Sequence, residues 1–196
     1  MKDSRAPAPA PAPVHAVAPL SAEALLESAD DLAALLVDAV EGGASLGFVT
    51  PFTHAEAAAW WRARAHVVAD GGLTVWAARD TAGLTGTVSL AHEGKPNGRH
   101  RAEVLKLMVH RRARGHGLGR ALLTVAEHAA AAAGATLLLL DTETASPAEQ
   151  LYRSAGWTPY GTVPAHAANP AGVLRPTTFY FKALPSAQER ASSHRP

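Results

Sequence analysis

The chain has 196 residues, enough for one domain with a sizeable core, and its 18 Lys and Arg nearly cancel 17 Asp and Glu, for a net charge of +1. That balance argues against a coat for nucleic acid, and the absence of cysteine excludes disulfides, thiolate metal sites and a cysteine nucleophile. The longest apolar run, AAAAAGATLLLL at 129–140, is shorter than the roughly 20 residues that span a bilayer, so the expectation is a soluble, cytoplasmic protein with no membrane or nucleic-acid partner, monomeric or a homodimer.

Residues 1–14, MKDSRAPAPAPAPV, form a Pro/Ala tail that cannot bury a core, and 185–196 reads as a second loose end, leaving 15–184 as the folded unit. A short strand is expected near His15–Leu20. A helix follows over SADDLAALLVDAVEGG, with Ser28 and Asp31 as a capping-box-like start, Leu32, Leu35, Leu36 and Val40 on one face, and Gly42-Gly43 as its stop. THAEAAAWWRARAHVVADGG repeats the pattern with Thr53 as cap, Glu56 three residues later and Gly71 at the end. LTVWAAR and GTVSLAH predict a hairpin around DTAG, and AEVLKLMVH a third strand.

A basic, glycine-rich turn then opens a helix from about Leu118 to Ala133. TLLLLD is a continuous apolar strand of the kind buried on both faces. SPAEQLYRSAG predicts a short helix with Ser146 as cap and Pro147 in first position. WTPYGTV and TTFYFKAL close the chain as strands joined by a long connection, VPAHAANPAGVLRPTTF, which carries Asn169 and Arg175. The strand–helix–strand unit from Ala102 to Asp141 implies one parallel pair with a right-handed crossover, flanked by antiparallel strands. The fold class is therefore α/β (α+β): a mixed, mostly antiparallel sheet with helices on both faces.

The turn itself, Arg114-Gly115-His116-Gly117-Leu118-Gly119, stands at a helix start, where successive backbone N–H groups point one way and carry the positive end of the helix dipole. Glycines let a diphosphate approach that backbone, and nearby arginines can complete the charge match. A P-loop would need Lys-Ser/Thr after its last glycine, where Arg120-Ala121 stands, and a dinucleotide fingerprint would need G-x-G-x-x-G, where the spacing is G-x-G-x-G.

Arg114 to Gly119 matches the (Arg/Gln)-x-x-Gly-x-(Gly/Ala) signature of the GCN5-related N-acetyltransferases (GNAT), and SPAEQLYRSAGW resembles their later tyrosine-helix motif. EGGASLGF, KPNGRHRAEVLKLMV, DTETASPAEQLY and RPTTFYFKAL are similar to blocks of the tabtoxin-resistance acetyltransferases, so that the resemblance covers most of 28–184. It implies a GNAT-like sheet with a splay between LKLMV and TLLLLD. It also implies acetyl-CoA as co-substrate, held by Leu107, Met108, Val109, Arg112, Arg114, Gly115, His116, Gly117, Leu118, Gly119, Arg120 and Ser146. Three positions depart from the family: Arg111 stands for a common proline, Trp157 for Phe, and Ser146 for a frequent Asn.

The activity implied is transfer of acetyl to the amine of a small molecule, such as a β-lactam or amino-acid-like toxin or antibiotic, with a role in antibiotic resistance. Phe48, Asn169 and Arg175 would border the acceptor. Glu103, which begins its strand, and Asp141, which ends the neighbouring parallel strand, come together near the splay as the carboxylates placed to take the amine proton, either one serving as principal base, and Tyr152 would serve the departing sulfur. With no cysteine to carry an acetyl group, direct transfer in a ternary complex is expected. The alternatives are a protein acetyltransferase acting on lysine or an N-terminus, and a non-catalytic acyl-CoA-binding module. No metal is expected, because the ten histidines are scattered without ligand spacing. Glu103 is read as sharing one strand face with Leu105, Leu107 and Val109.

Overall fold

The computed structural model describes residues 15–185; the tails expected at 1–14 and 185–196 lie outside them, apart from Pro185. Strand β1 (Ala16–Pro19) leads into helix α1 (Ala22–Glu27), which Ser21 caps by accepting a hydrogen bond from Ala24 N. Helix α2 (Ala29–Glu41) follows directly. Ser28 thus stands at the N-cap of α2 as expected, but its side chain makes no capping hydrogen bond. Wedged between two helices, its φ of −88° and ψ of 1° do not aim the hydroxyl back at the helix start, and the Oγ accepts from Arg79 Nη2 at 2.7 Å instead. The stop at Gly42-Gly43 is as expected, with Gly43 at φ +85°.

Thr53 and Glu56 form the reciprocal capping box of α3 (His54–Arg62), and the same apolar stretch continues as a separate short helix α4 (Ala65–Ala69). Trp61 faces inward, fully buried, and donates from its indole nitrogen to Leu32 O of α2 at 3.1 Å. Its neighbour Trp60, a turn of about 100° away, faces the cleft described below.

Strands β2 (Leu73–Asp80) and β3 (Gly83–His92) form the expected hairpin, followed by β4 (Arg101–Val109), helix α5 (Leu118–Ala132), β5 (Leu137–Glu143) and helix α6 (Pro147–Ser154). The sheet order is β1-β2-β3-β4-β5-β7-β6, with β6 (Thr158–Ala168) and β7 (Leu174–Ala183) beyond β5. Only β4 and β5 run parallel; every other pair is antiparallel. The long connection expected between the last two strands is a hairpin instead. β6 and β7 stay paired through irregular registers up to Ala168↔Leu174, and a tight loop at 169–173 joins them. Because β6 is an exposed edge strand with prolines and small residues, it lacks the apolar alternation that would mark it.

Two cores cover the two faces. Trp76, Val88, Val104, Leu122, Leu123, Leu138, Tyr152 and Tyr180 pack beneath α5 and α6. Leu32, Leu36, Trp61, Val75, Ala77 and Met108 pack beneath α1–α4. Among the described residues, no helix is long and apolar enough to cross a membrane.

One irregularity shapes the centre of the sheet. Between Thr87↔Met108 and Ser89↔Leu105, β4 carries one residue more than β3, and Lys106 takes a left-handed φ of +50°. The bulge overturns the expected alternation. Before it, Ala102 and Val104 face α5 and α6, while Glu103 pairs with Ala91 on the α1–α4 side. After it, Leu107 and Val109 have swapped to the α5 side. Glu103 thus shares no face with Leu107 or Val109.

Candidate active site

The parallel pairing of β4 and β5 is brief: Arg101↔Leu137, Ala102↔Leu138 and Glu103↔Leu139, and nothing further. Beyond it β4 runs on to Val109 held only by β3, and β5 runs on to Glu143 held only by β7. The two strands part at Glu103, leaving the β4 edge over 104–109 with no strand partner among the described residues. Leu107, Met108 and Val109 line this opening, and Met108 is anchored in the α1–α4 core.

The basic turn sits where β4 ends. Residues 111–113 form a 3-10 turn, Gly115 has φ +81°, and Gly117 has φ +78° as the N-terminal cap of α5. A Cβ built on either glycine meets nothing within 4 Å, so backbone conformation rather than crowding calls for glycine there. Gly119 differs, because its Cβ would lie 3.4 Å from Leu151 and 3.7 Å from Val109. The first helical bond of α5 runs from Ala121 N to Gly117 O at 3.0 Å, and among the described residues the amides of 115–120 donate to nothing. Gly115, His116, Gly117, Leu118, Gly119 and Arg120 therefore present an open row of N–H groups at the positive end of a 15-residue helix.

The arginines do not join that row. Arg111 pairs with Asp38 of α2, and Arg112 grips Asp80 at 2.6 Å and 3.2 Å. Arg112 thereby turns toward a separate cavity of about 220 Å³ that it lines with Asp31 and His110. Arg114 donates from Nε to Val109 O at 3.0 Å, and Arg120 donates to Ser154 Oγ at 2.7 Å. The side-chain charge expected around the turn is thus engaged within the fold. What the turn offers is backbone.

On the α1–α4 face, Glu103 and Asp141 look into the opening. Leu138 and Leu140 point into the α5 core, so Leu139 and Asp141 face the other way, alongside Glu103. Burial and the charge of Asp141 push the Glu103 carboxyl above its ordinary range, and Lys106 partly offsets them. Glu103 also lines an open cavity of about 320 Å³ with Ala91, His92 and Leu139.

Tyr152 approaches from the opposite face. It is buried on α6 near Trp157 and Tyr180, at ring distances of 6.1 Å and 6.4 Å. Burial, then the charge of Asp141, pushes its phenol well above the usual value, so it stays protonated at any working pH. Its hydroxyl bonds to no described residue. Helix α6 is set by Ser146, which accepts from Glu149 N at 3.2 Å and lies 3.3 Å from Thr142 Oγ1, so that its hydroxyl already has local partners.

Sequence reasoning named Phe48 but missed the two cations packed with it beside the carboxylates. Phe48 stacks on Phe52 with centroids 4.3 Å apart and meets Trp60 edge-on at 5.6 Å. Arg64 lies 3.6 Å above the Trp60 ring, and Lys106 Nζ stands 5.3 Å from the same ring and 5.7 Å from Phe48. The bulge that turns Lys106 toward this cluster has no glycine or proline to announce it. The 169–173 loop docks on the same segment, where Thr50 N and Oγ1 both donate to Pro170 O at 2.8 Å. Asn169 itself shapes that loop, its Oδ1 accepting from Ala171 N and Val173 N, while Arg175 is paired with Glu143 at 3.2 Å. Among the described residues, no three His, Asp or Glu gather as a metal site.

Residues 71–159 match the model of the acetyltransferase (GNAT) domain. Among solved structures, an N-acetyltransferase from Staphylococcus aureus Mu50 is similar at a TM-score of 0.72 and 17% identity, covering 88% of this chain and 99% of that one. A GNAT superfamily phosphinothricin acetyltransferase from Sinorhizobium meliloti, in complex with acetyl-CoA, aligns at 0.70 and 23%, over 87% and 88%. A ribosomal-protein-alanine N-acetyltransferase from Brucella melitensis aligns at 0.68 and 24%, over 86% and 99%. The seven-stranded sheet with one parallel pair is the fold of these acetyltransferases.

Proposed function

We propose that this chain, with a GNAT acetyltransferase domain at residues 71–159, moves acetyl from acetyl-CoA to the amine of a small molecule. The observation that carries this reading is the row of unpartnered amides at 115–120, at the mouth of the splay between β4 and β5. Helix-start amides suit a diphosphate, and the two positive-φ glycines keep side chains out of its path. The unpaired edge of β4 at 104–109 suits an amide-bearing pantetheine arm, with Leu107 and Val109 beside it. Arg112, Arg114, Arg120 and Ser146 hold the turn and α6 in shape through their internal partners.

Bound acetyl-CoA supplies an acetyl group activated as a thioester; the chain's own residues handle protons and position. An amine acceptor arrives protonated. Glu103 or Asp141 takes that proton, directly or through a water, and the raised affinity of Glu103 for a proton fits it for the task near neutral pH. Tyr152 keeps a proton on its hydroxyl for the departing thiolate, on the other side of the sheet from the carboxylates. With no cysteine in the sequence, transfer is direct within a ternary complex.

The aromatic wall of Phe48, Phe52 and Trp60 favours a compact acceptor. The likeness of DTETASPAEQLY and RPTTFYFKAL to tabtoxin-resistance acetyltransferases, and the fold shared with a phosphinothricin acetyltransferase, support an amino-acid-like toxin or antibiotic and a cytoplasmic resistance role. The test is thiol release from acetyl-CoA with a panel of small amines and amino-acid antibiotics. Acetyl-CoA binding with no transfer to any of them would make the chain a binding module.

A further inference from the structure

Lys106 and Arg64 pose a physical problem. Both are partly buried against the Trp60 ring, and burial followed by the charge of Arg64 pulls the Lys106 ammonium below its ordinary range. Two like charges held together in a desolvated place are unfavourable unless something compensates. The compensation inside the fold is partial: Lys106 donates to Leu46 O at 2.9 Å and feels the charges of Asp141 and Glu103, and Arg64 donates to Trp60 O at 3.0 Å. Among the described residues, neither forms an ion pair with a carboxylate, although eight other Lys and Arg residues do, Arg112 with Asp80 and Lys182 with Glu127 among them. The bulge at Lys106 matters here, because a regular strand would have turned this side chain into the α5 core.

The mirror problem lies next door. Glu103 and Asp141 also have no cationic partner within ion-pairing distance among the described residues, and they repel each other. Lys106 and the two carboxylates act on one another through their charges without forming an ion pair, so the opening holds two cations and two carboxylates that make no direct ion pair among the described residues, walled by Phe48 and Trp60. Charge separated in this way is complementary to a molecule that carries an amine and a compact anion together.

We propose that Lys106 and Arg64 form an anion subsite that selects acceptors bearing a carboxylate beside the amine, so that the preferred substrate class is a zwitterionic amino acid rather than a simple amine. The reading rests on the acetyl-transfer function above. The acceptor's carboxylate lies against Lys106 and Arg64 over the Trp60 ring, and its ammonium is turned toward Glu103 and Asp141. The cations thereby orient the nucleophile as well as bind it.

The experiment compares L-α-amino acids with their own carboxamides as acceptors, by thiol release from acetyl-CoA, in wild type, Lys106→Met, Lys106→Arg and Arg64→Gln. Wild type is expected to favour the acid over its amide by tenfold or more in kcat/KM. Lys106→Met and Arg64→Gln should each collapse that ratio toward one, and Lys106→Arg should restore most of it. A purely structural role would lower acid and amide together and leave the ratio intact, which overturns the subsite. So does a wild-type preference for the amide, or turnover of neither form by protein that binds acetyl-CoA. If wild type fails to bind acetyl-CoA, the acetyl-transfer reading falls separately. The subsite is then judged by calorimetric titration of the same acids and amides, and equal binding of both rejects it.

Discussion

Tyr180 of β7 donates a 2.5 Å hydrogen bond to the buried carboxylate of Glu149 on α6. The same carboxylate accepts from Ala145 N at 2.6 Å and from Arg153 Nη2 at 3.0 Å. One side chain therefore ties the start of α6 to the sheet, and Tyr152 rides on that helix.

Removing the charge should loosen this anchor. Tyr180, the Ala145 amide and Arg153, in that setting, hold the Glu149 carboxyl below its ordinary range in the fold. A carboxyl whose folded pKa is depressed adds stability above its unfolded pKa of about 4.3, and that stability fades as pH falls through the folded value. Glu149→Gln is expected to lose about 1.5–3 kcal/mol in urea unfolding at pH 7, the usual range for hydrogen bonds to a charged group. The gap between wild type and variant should narrow below about pH 4. A gap that is independent of pH would assign the loss to packing.

Two glycines of the turn should respond oppositely to alanine. Gly117 has φ +78°, so Gly117→Ala strains the backbone by about 1–2 kcal/mol even though its Cβ would meet nothing. Gly119 is helical, and its Cβ would make ordinary contacts with Leu151 and Val109, so Gly119→Ala should gain up to about 1 kcal/mol from helix propensity. Thermal unfolding of the two variants checks the signs. On the proposed reading, Gly117→Val should also weaken acetyl-CoA binding at least tenfold by calorimetry, and unchanged affinity in a folded variant would remove this turn from the site.

Local signals were the legible part of this chain. The expected span of α5, from about Leu118 to Ala133, nearly coincides with Leu118–Ala132, and the Thr53–Glu56 box and the Ser146 cap each form as their spacing requires. What escaped notice depends on residues far apart in sequence. Arg111 and Asp38 are 73 positions apart, Arg112 and Asp80 are 32 apart, and no local pattern tells a guanidinium which carboxylate the fold will bring to it. The bulge at Lys106 is set by β3 pairing and by the bond to Leu46 O, across 60 positions, so strict alternation misassigned the face of Leu107 and Val109. Of the candidate site, the turn, the carboxylates, the tyrosine and Phe48 could be named in advance, and the placing of Lys106 and Arg64 against Phe48 and Trp60 could not.

Tyr152→Phe separates chemistry from packing. Because the hydroxyl bonds to no described residue, its loss should leave urea unfolding within about 0.5 kcal/mol of wild type. If Tyr152 serves the departing sulfur, kcat on a true acceptor should fall about 10²–10⁴-fold while acetyl-CoA still binds. Full kcat in the variant would return Tyr152 to the core as a packing residue.

Glu103→Gln should make the protein more stable and less active at once. Burial, then the negative charge of Asp141, raises the Glu103 pKa in the fold, with Lys106 opposing them. A carboxyl with a raised folded pKa binds its proton more tightly when folded. Its contribution is most favourable below the unfolded pKa of about 4.3 and is lost as pH rises through the folded value. At neutral pH the ionised Glu103 therefore weighs against folding, and a neutral Gln of the same shape removes that burden. Unfolding curves at pH 5 and pH 8 should show Glu103→Gln gaining on wild type as pH rises. Its kcat/KM for the amine should drop, and an acidic limb that wild type owes to Glu103, sited above an ordinary glutamate pKa, should vanish from the pH profile. Asp141→Asn provides the control for the neighbouring charge. It relieves the repulsion on Glu103, so the limb should shift to lower pH rather than disappear. If the limb disappears in Asp141→Asn and persists in Glu103→Gln, Asp141 is the base and Glu103 only tunes it.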